Sequence, residues 1–157
     1  MQKKYYNTKG KIRELSDTEQ EKLCMMGYTN YRWIVCEEYV YNFYFPLNKR
    51  RVKVTVPNGF VCDGASNFIK KIDIPRDMGF YWVIHDWLYA THTFDDGTEC
   101  TRKDADAIIP RCLIREWQTL LIPFRFLLSM IYLAPSNTRP QKAYENSGKR
   151  GPVILLS

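Results

Sequence analysis

No two cysteines of this chain are spaced as CxxC, and the thiols at Cys24, Cys36, Cys62, Cys100 and Cys112 are odd in number. A disulfide framework is therefore not expected, and the long, irregular spacings do not fit structural zinc sites. No signal-peptide pattern opens the sequence, so reduced thiols in a reducing compartment are expected. The sequence also lacks an uninterrupted apolar run of bilayer-spanning length. Its longest apolar stretch, 120–134, is interrupted by Pro123 and Arg125, and so reads as a buried helix or as a surface that dips into lipid. Basic residues are not massed: no run exceeds Lys49-Arg50-Arg51, and neither a nucleic-acid motif nor an internal repeat occurs. The net charge of +6 permits a phosphate-rich partner, nucleic acid included, without specifying one.

Aromatic residues, by contrast, are abundant. Eleven Tyr, eight Phe and four Trp make up 15% of the chain, which favours heavy aromatic packing or an adhesive surface. A length of 157 residues suits one domain with a core of its own. Within it, 1–12 is basic and polar and is expected as a mobile arm. Ser16-Asp17-Thr18-Glu19 has the form of a capping box, which predicts a helix from there to about Met26, stopped by Gly27. Segments 31–36 and 38–45 are rich in aromatic and β-branched residues, and 51–56 alternates polar with apolar; all three read as strands. Turns are expected at 46–49 and at Pro57-Asn58-Gly59. Helical spacing then runs from Gly79 to about Thr93, from Thr101 toward Trp117 with a break at Pro110, and over 119–133. Beyond Pro135 the composition predicts a loosely structured tail over 135–157, with 153–156 able to dock as a short strand. The pattern is that of an α+β domain: a small antiparallel sheet followed by a bundle of about three helices.

The chemistry-bearing residues gather in the helical part. On one helix, His85 shares a face with Tyr81 and Tyr89, and Asp86 is turned about 100° away. If the next helix packs antiparallel, Asp106 reaches the His85 ring. An imidazole whose tautomer is fixed by a carboxylate can act as a general base. His85, Asp106 and Tyr89 are the candidate catalytic residues on that reading. Asp86, with backbone carbonyls of the Asp63-Gly64 loop, is the candidate for a hard cation such as calcium, and Asp63 is a second candidate metal ligand. Each residue also has a plainer reading: a buried hydrogen-bond network for the cluster, a helix-end residue for His92, an ion-pair partner for Arg102 and a turn residue for Asp63.

Gly59-Phe60-Val61-Cys62-Asp63-Gly64-Ala65-Ser66, then His85, Asp86 and Tyr89, then Arg102, Ala105 and Asp106, resemble in order the three motifs of domain-of-unknown-function family 1353. That family occurs mainly in tailed phages and other viruses, and its name confers no activity. The His-Asp-x-x-Tyr with a later Asp is more loosely similar to phospholipase A-two enzymes. That resemblance implies His85 as base, Asp86 on calcium, Asp106 orienting His85 and Tyr89 in support. The glycine-rich calcium loop of those enzymes is absent in its usual form. Two functions follow as expectations. One is a virion-associated structural or accessory component of capsid or tail, partnered by other virion proteins. The other is a calcium-assisted lipid-ester hydrolase acting at a phospholipid surface. Either would place the chain in a virion or in the host cytoplasm.

Overall fold

The computed structural model describes residues 11–45, 49–63, 80–108 and 138–155, with only the backbone described at 80, 81 and 138–140. In chain order the elements are β1 (Ile12–Glu14), α1 (Asp17–Met25), β2 (Trp33–Val35), β3 (Tyr39–Phe45), β4 (Arg50–Val56), β5 (Val61–Cys62) and α2 (Phe80–Thr91). They are followed by α3 (102–108) and α4 (Thr138–Arg150). This is an α+β arrangement of small antiparallel sheets and helices. Most of the arm predicted over 1–12, the turn at 46–48, residues Gly64 to Ser66, the break at Pro110, Cys112 and the helix predicted over 119–133 lie outside the described residues.

The capping box forms as its spacing predicts. Ser16 Oγ accepts from the Glu19 amide at 3.4 Å, and Glu19 Oε2 accepts from the Ser16 amide at 2.9 Å. Arg13 binds the same carboxylate through two 2.7 Å bonds. This pairing and the Ser16 amide hold the Glu19 carboxyl down at about 2. The helix stops where the left-handed residue Gly27 (φ 88°) turns the chain.

The strands sort into two sheets rather than one. β2 lies between β1 and β5 in a three-stranded sheet, whereas β3 and β4 pair with each other over seven residues, from Tyr39–Val56 to Phe45–Arg50. Strict alternation places Tyr39, Tyr41, Phe43 and Phe45 on the buried face of β3, opposite Val52, Val54 and Val56 of β4. α2 packs Val83, Ile84 and Leu88 onto that face, and Phe60, Phe94, Cys100, Ala105 and Ile108 complete the core. A second cluster of Leu15, Leu23, Ile34, Val61 and Val153 sits under α1. None of the four cysteines in the described residues is in a disulfide.

Within the tail predicted to be loose over 135–157, the described part, 138–155, is ordered, which corrects the expectation. Its first part is the 13-residue helix α4. Pro140 falls in the first turn, where a missing amide costs nothing. Gly148 serves close packing: a Cβ there would lie 2.2 Å from His92 Cε1. Residues 153–155 then run antiparallel beside 59–61, with Val61 N bonded to Val153 O at 3.0 Å and Leu155 N to Gly59 O at 2.9 Å. Gly59 (φ 84°) is required there, since a Cβ would meet Leu155 O at 2.4 Å.

Candidate active site

Two helices build the site. Val83, Ile84 and Leu88 anchor the inner face of α2, and residues four apart on another face carry His85 and Tyr89. Their rings meet at 4.1 Å between centroids, tilted by 36°. The chain leaves α2 through His92, in the left-handed region at φ 57°, and turns through Asp95-Asp96-Gly97. Asp95 fastens this turn to β4 by accepting from the Thr55 amide at 2.8 Å. α3 then opens with a second capping box. Asp104 Oδ2 accepts from the Thr101 amide at 3.1 Å, and Thr101 Oγ1 accepts from the Asp104 amide at 3.2 Å. Ala105 and Ile108 are fully buried, which turns the Arg102–Asp106 face of α3 toward α2.

The result is a cluster centred on one carboxylate oxygen. Asp106 Oδ1 accepts from His85 Nε2 at 3.1 Å and from the Tyr89 hydroxyl at 2.6 Å. Arg102 Nη1 stands 3.6 Å from Asp106 Oδ2, an ion pair within α3. The second ring nitrogen, His85 Nδ1, faces Asp86 Oδ1 at 3.6 Å, beyond hydrogen-bonding length. The cluster is not sealed: the side chains of His85 and Asp106 keep 19% and 34% of their exposure.

Electrostatics follow from this geometry. Burial of His85 disfavours its charged form, but the facing carboxylates of Asp106 and Asp86 outweigh burial and raise its pKa above the ordinary value. Burial alone would raise Asp106; the bonds from His85 and Tyr89 reverse this and lower it. Tyr89 is raised by burial and by the carboxylate it donates to, so its hydroxyl stays protonated. Both shifts favour the imidazolium–carboxylate form of the pair, with His85 Nε2–H donating to Asp106.

The remaining expected residues divide. Asp86 sits on the Nδ1 side of the ring, with Oδ2 covered and without a hydrogen-bond partner. Asp63 lies just past β5. Its charge and that of Asp86 both raise the Tyr31 hydroxyl, which burial raises most, while Arg150 opposes them. The two carboxylates thus share a neighbourhood. Among the described residues, however, no three His, Cys, Asp or Glu side chains group closely enough to hold a metal ion. Asp86 offers calcium one orphaned oxygen, and the described residues complete no site around it.

His92 is turned toward α4 instead. Its ring stacks on Tyr144 at 3.7 Å with 2° between planes, and Nε2 lies 2.9 Å from the Tyr144 carbonyl. Tyr144 in turn donates its hydroxyl to the Cys100 carbonyl and meets Tyr89 edge-on at 5.0 Å. Sequence reasoning missed Tyr144. Its only signal was a lone aromatic in a segment rich in loop-forming residues.

The fold and cluster together define a small α+β domain with a carboxylate–imidazole–phenol site shared by two helices. The chain belongs to the family described as "Protein of unknown function (DUF1353)", whose profile matches residues 33–121. The matched span includes every residue of the His85–Tyr89–Asp106 cluster and ends before α4. No curated protein and no solved structure matches the chain.

Proposed function

We propose that this chain is a virion-associated accessory protein of a phage or other virus whose His85–Asp106–Tyr89 cluster hydrolyses lipid esters. One observation carries the catalytic part: His85 Nε2 is fixed on Asp106 at 3.1 Å while the ring remains 19% exposed. An oriented imidazole that water and substrate can reach is a proton-transfer device. In the reaction, neutral His85 takes a proton from water at Nδ1, and the resulting hydroxide attacks the ester carbonyl. Collapse of the tetrahedral adduct breaks the bond to the alcohol, which leaves with the proton returned by Nδ1. Asp106 holds the ring and balances the imidazolium charge, and Tyr89 fixes the Asp106 oxygen. Asp86 is the residue that would contribute to a calcium site, where the cation would polarise the carbonyl. Other virion proteins and a phospholipid surface are the partners this reading needs. Nucleic acid has no motif to support it.

A second reading rests on Asp86. A carboxylate on each side favours the charged form of His85, which suits a purely structural network in a capsid or tail component. The test is hydrolysis of mixed phospholipid vesicles by the full chain, with and without calcium, beside His85→Ala and Asp86→Asn. An enzyme loses about 10²–10⁴-fold of its rate in the His85 variant with little change in melting temperature. It loses calcium dependence in the Asp86 variant. No lipid release under any condition, with both variants melting lower and entering particles poorly, supports the structural network and refutes the hydrolase.

A further inference from the structure

A pocket of about 350 Å³ opens beside the cluster, lined by Glu99, Thr101, Arg102, Lys103, Gln141 and Tyr144. It lies where the start of α3 meets α4. We infer that this pocket binds a phosphate group, with Arg102 as its anchor and Lys103 as the second cation.

The argument starts from Arg102. Its guanidinium carries five N–H donors, yet Nε and Nη1 are covered and have no hydrogen-bond partner. The nearest anion, Asp106 Oδ2, stands 3.6 Å from Nη1, and Asp106 already spends Oδ1 on His85 and Tyr89. Covered donors of a charged group are costly to leave unmade, and in native proteins such an orphan points to a missing acceptor. The side chain is 17% exposed and lines the pocket. The other polar groups of the pocket are largely committed. Thr101 is engaged by Asp104 as the α3 cap, and the Gln141 amide donates to Glu145 at 3.0 Å. Lys103 is exposed. Arg102 and Lys103 supply two cations at the pocket, against the Glu99 carboxylate of its lining and the Asp106 partner of Arg102. A planar fork beside a flexible ammonium suits the tetrahedral phosphate.

The pocket is also placed to serve the acid–base pair. Arg102 and Asp106 are one helical turn apart, about 6 Å along α3. A phosphate on Arg102 therefore holds an ester a few bonds away against His85. This last step rests on the hydrolase reading; the binding of phosphate does not.

The test is calorimetric titration of the full chain with three probes at constant ionic strength. These are inorganic phosphate, a short-chain phosphatidylcholine kept below its micellar concentration, and an uncharged short-chain triglyceride. Phosphate and the phospholipid should bind and the triglyceride should not. Arg102→Gln should weaken binding by about tenfold or more, and Lys103→Gln by less. The Lys103 variant keeps the test decisive if loss of the Arg102–Asp106 pair lowers the melting temperature. Equal affinity for phosphate and phospholipid assigns the site to any phosphate; preference for the phospholipid assigns it to a lipid headgroup. Unchanged affinity in both variants, or no heat with either phosphate probe, overturns the inference. Arg102-dependent binding without ester cleavage by the wild-type chain would retain the pocket and remove the hydrolase. Equal cleavage of triglyceride and phospholipid, unaffected by Arg102→Gln, would do the reverse.

Discussion

Replacing Asp106 with Asn removes the charge on which the cluster converges while keeping its shape. Asp106 accepts two hydrogen bonds on one oxygen and pairs with Arg102 through the other. A hydrogen bond to a charged group contributes about 1.5–3 kcal/mol. The carboxylate is 34% exposed, so solvent screening pulls the estimate toward the low end, and the amide oxygen of Asn preserves one acceptor. A net loss of about 2 kcal/mol near pH 6 follows, or roughly 4–8 °C in melting temperature for a domain of this size. The pH dependence is the sharper part. His85 is raised in the folded state, so its contribution is complete below the unfolded value and fades as pH climbs through the folded one. Asp106 is lowered, so its contribution is present above the unfolded carboxylate value and fades as pH falls through the folded one. The cost of Asp106→Asn should therefore peak between these limits and shrink on either side. Urea unfolding of both proteins across the pH range, with the His85 ring followed by NMR, gives both quantities. A cost independent of pH, or an unchanged His85 titration in the variant, would refute the account of the cluster.

Three further outcomes are expected. If His85 is the base, kcat/KM for ester cleavage should rise with pH along a limb set by its raised pKa, above the ordinary value for histidine, and a limb at or below that ordinary value would contradict the geometry. Gly148→Ala places a methyl group 2.2 Å from the His92 ring, so α4 should loosen and become sensitive to limited proteolysis while the core amides of α2 keep their hydrogen-exchange protection. Gly59→Ala combines a left-handed φ of 84° with a 2.4 Å approach to Leu155 O, and should cost about 1–3 kcal/mol in denaturant titration.

How much the sequence revealed depends on the range of the interaction. The capping box at Ser16–Glu19, the stop at Gly27, the aromatic and β-branched run of β3 and the alternation in β4 are local, and each was legible. The meeting of His85 with Asp106 was legible because a short turn joins their helices and each helix has only one buried face. Strand partners were not: β1 and β5 hold three and two residues, too few to display a period, and nothing local tells β2 to pair with them rather than with β3. Residues 138–150 misled because Pro140, Asn146, Ser147 and Gly148 read as loop. Proline is harmless in a first turn, and this glycine answers to His92, which lies far away along the chain. Tyr144 was hidden for the same reason, since its value lies in contacts with Tyr89, His92 and Cys100.

The segment 153–155 fills the edge of β5 by accepting from Val61 and donating to Gly59. These partners are separated by most of the chain, so this closure carries a high entropic cost of loop formation and belongs late in folding. During synthesis the hairpin of β3 and β4 can form from neighbouring residues. The Val61 amide, in contrast, must wait until Val153 has left the ribosome. Until then an unpaired strand edge is open to solvent and to other nascent chains, and premature termination before Val153 would make that exposure permanent.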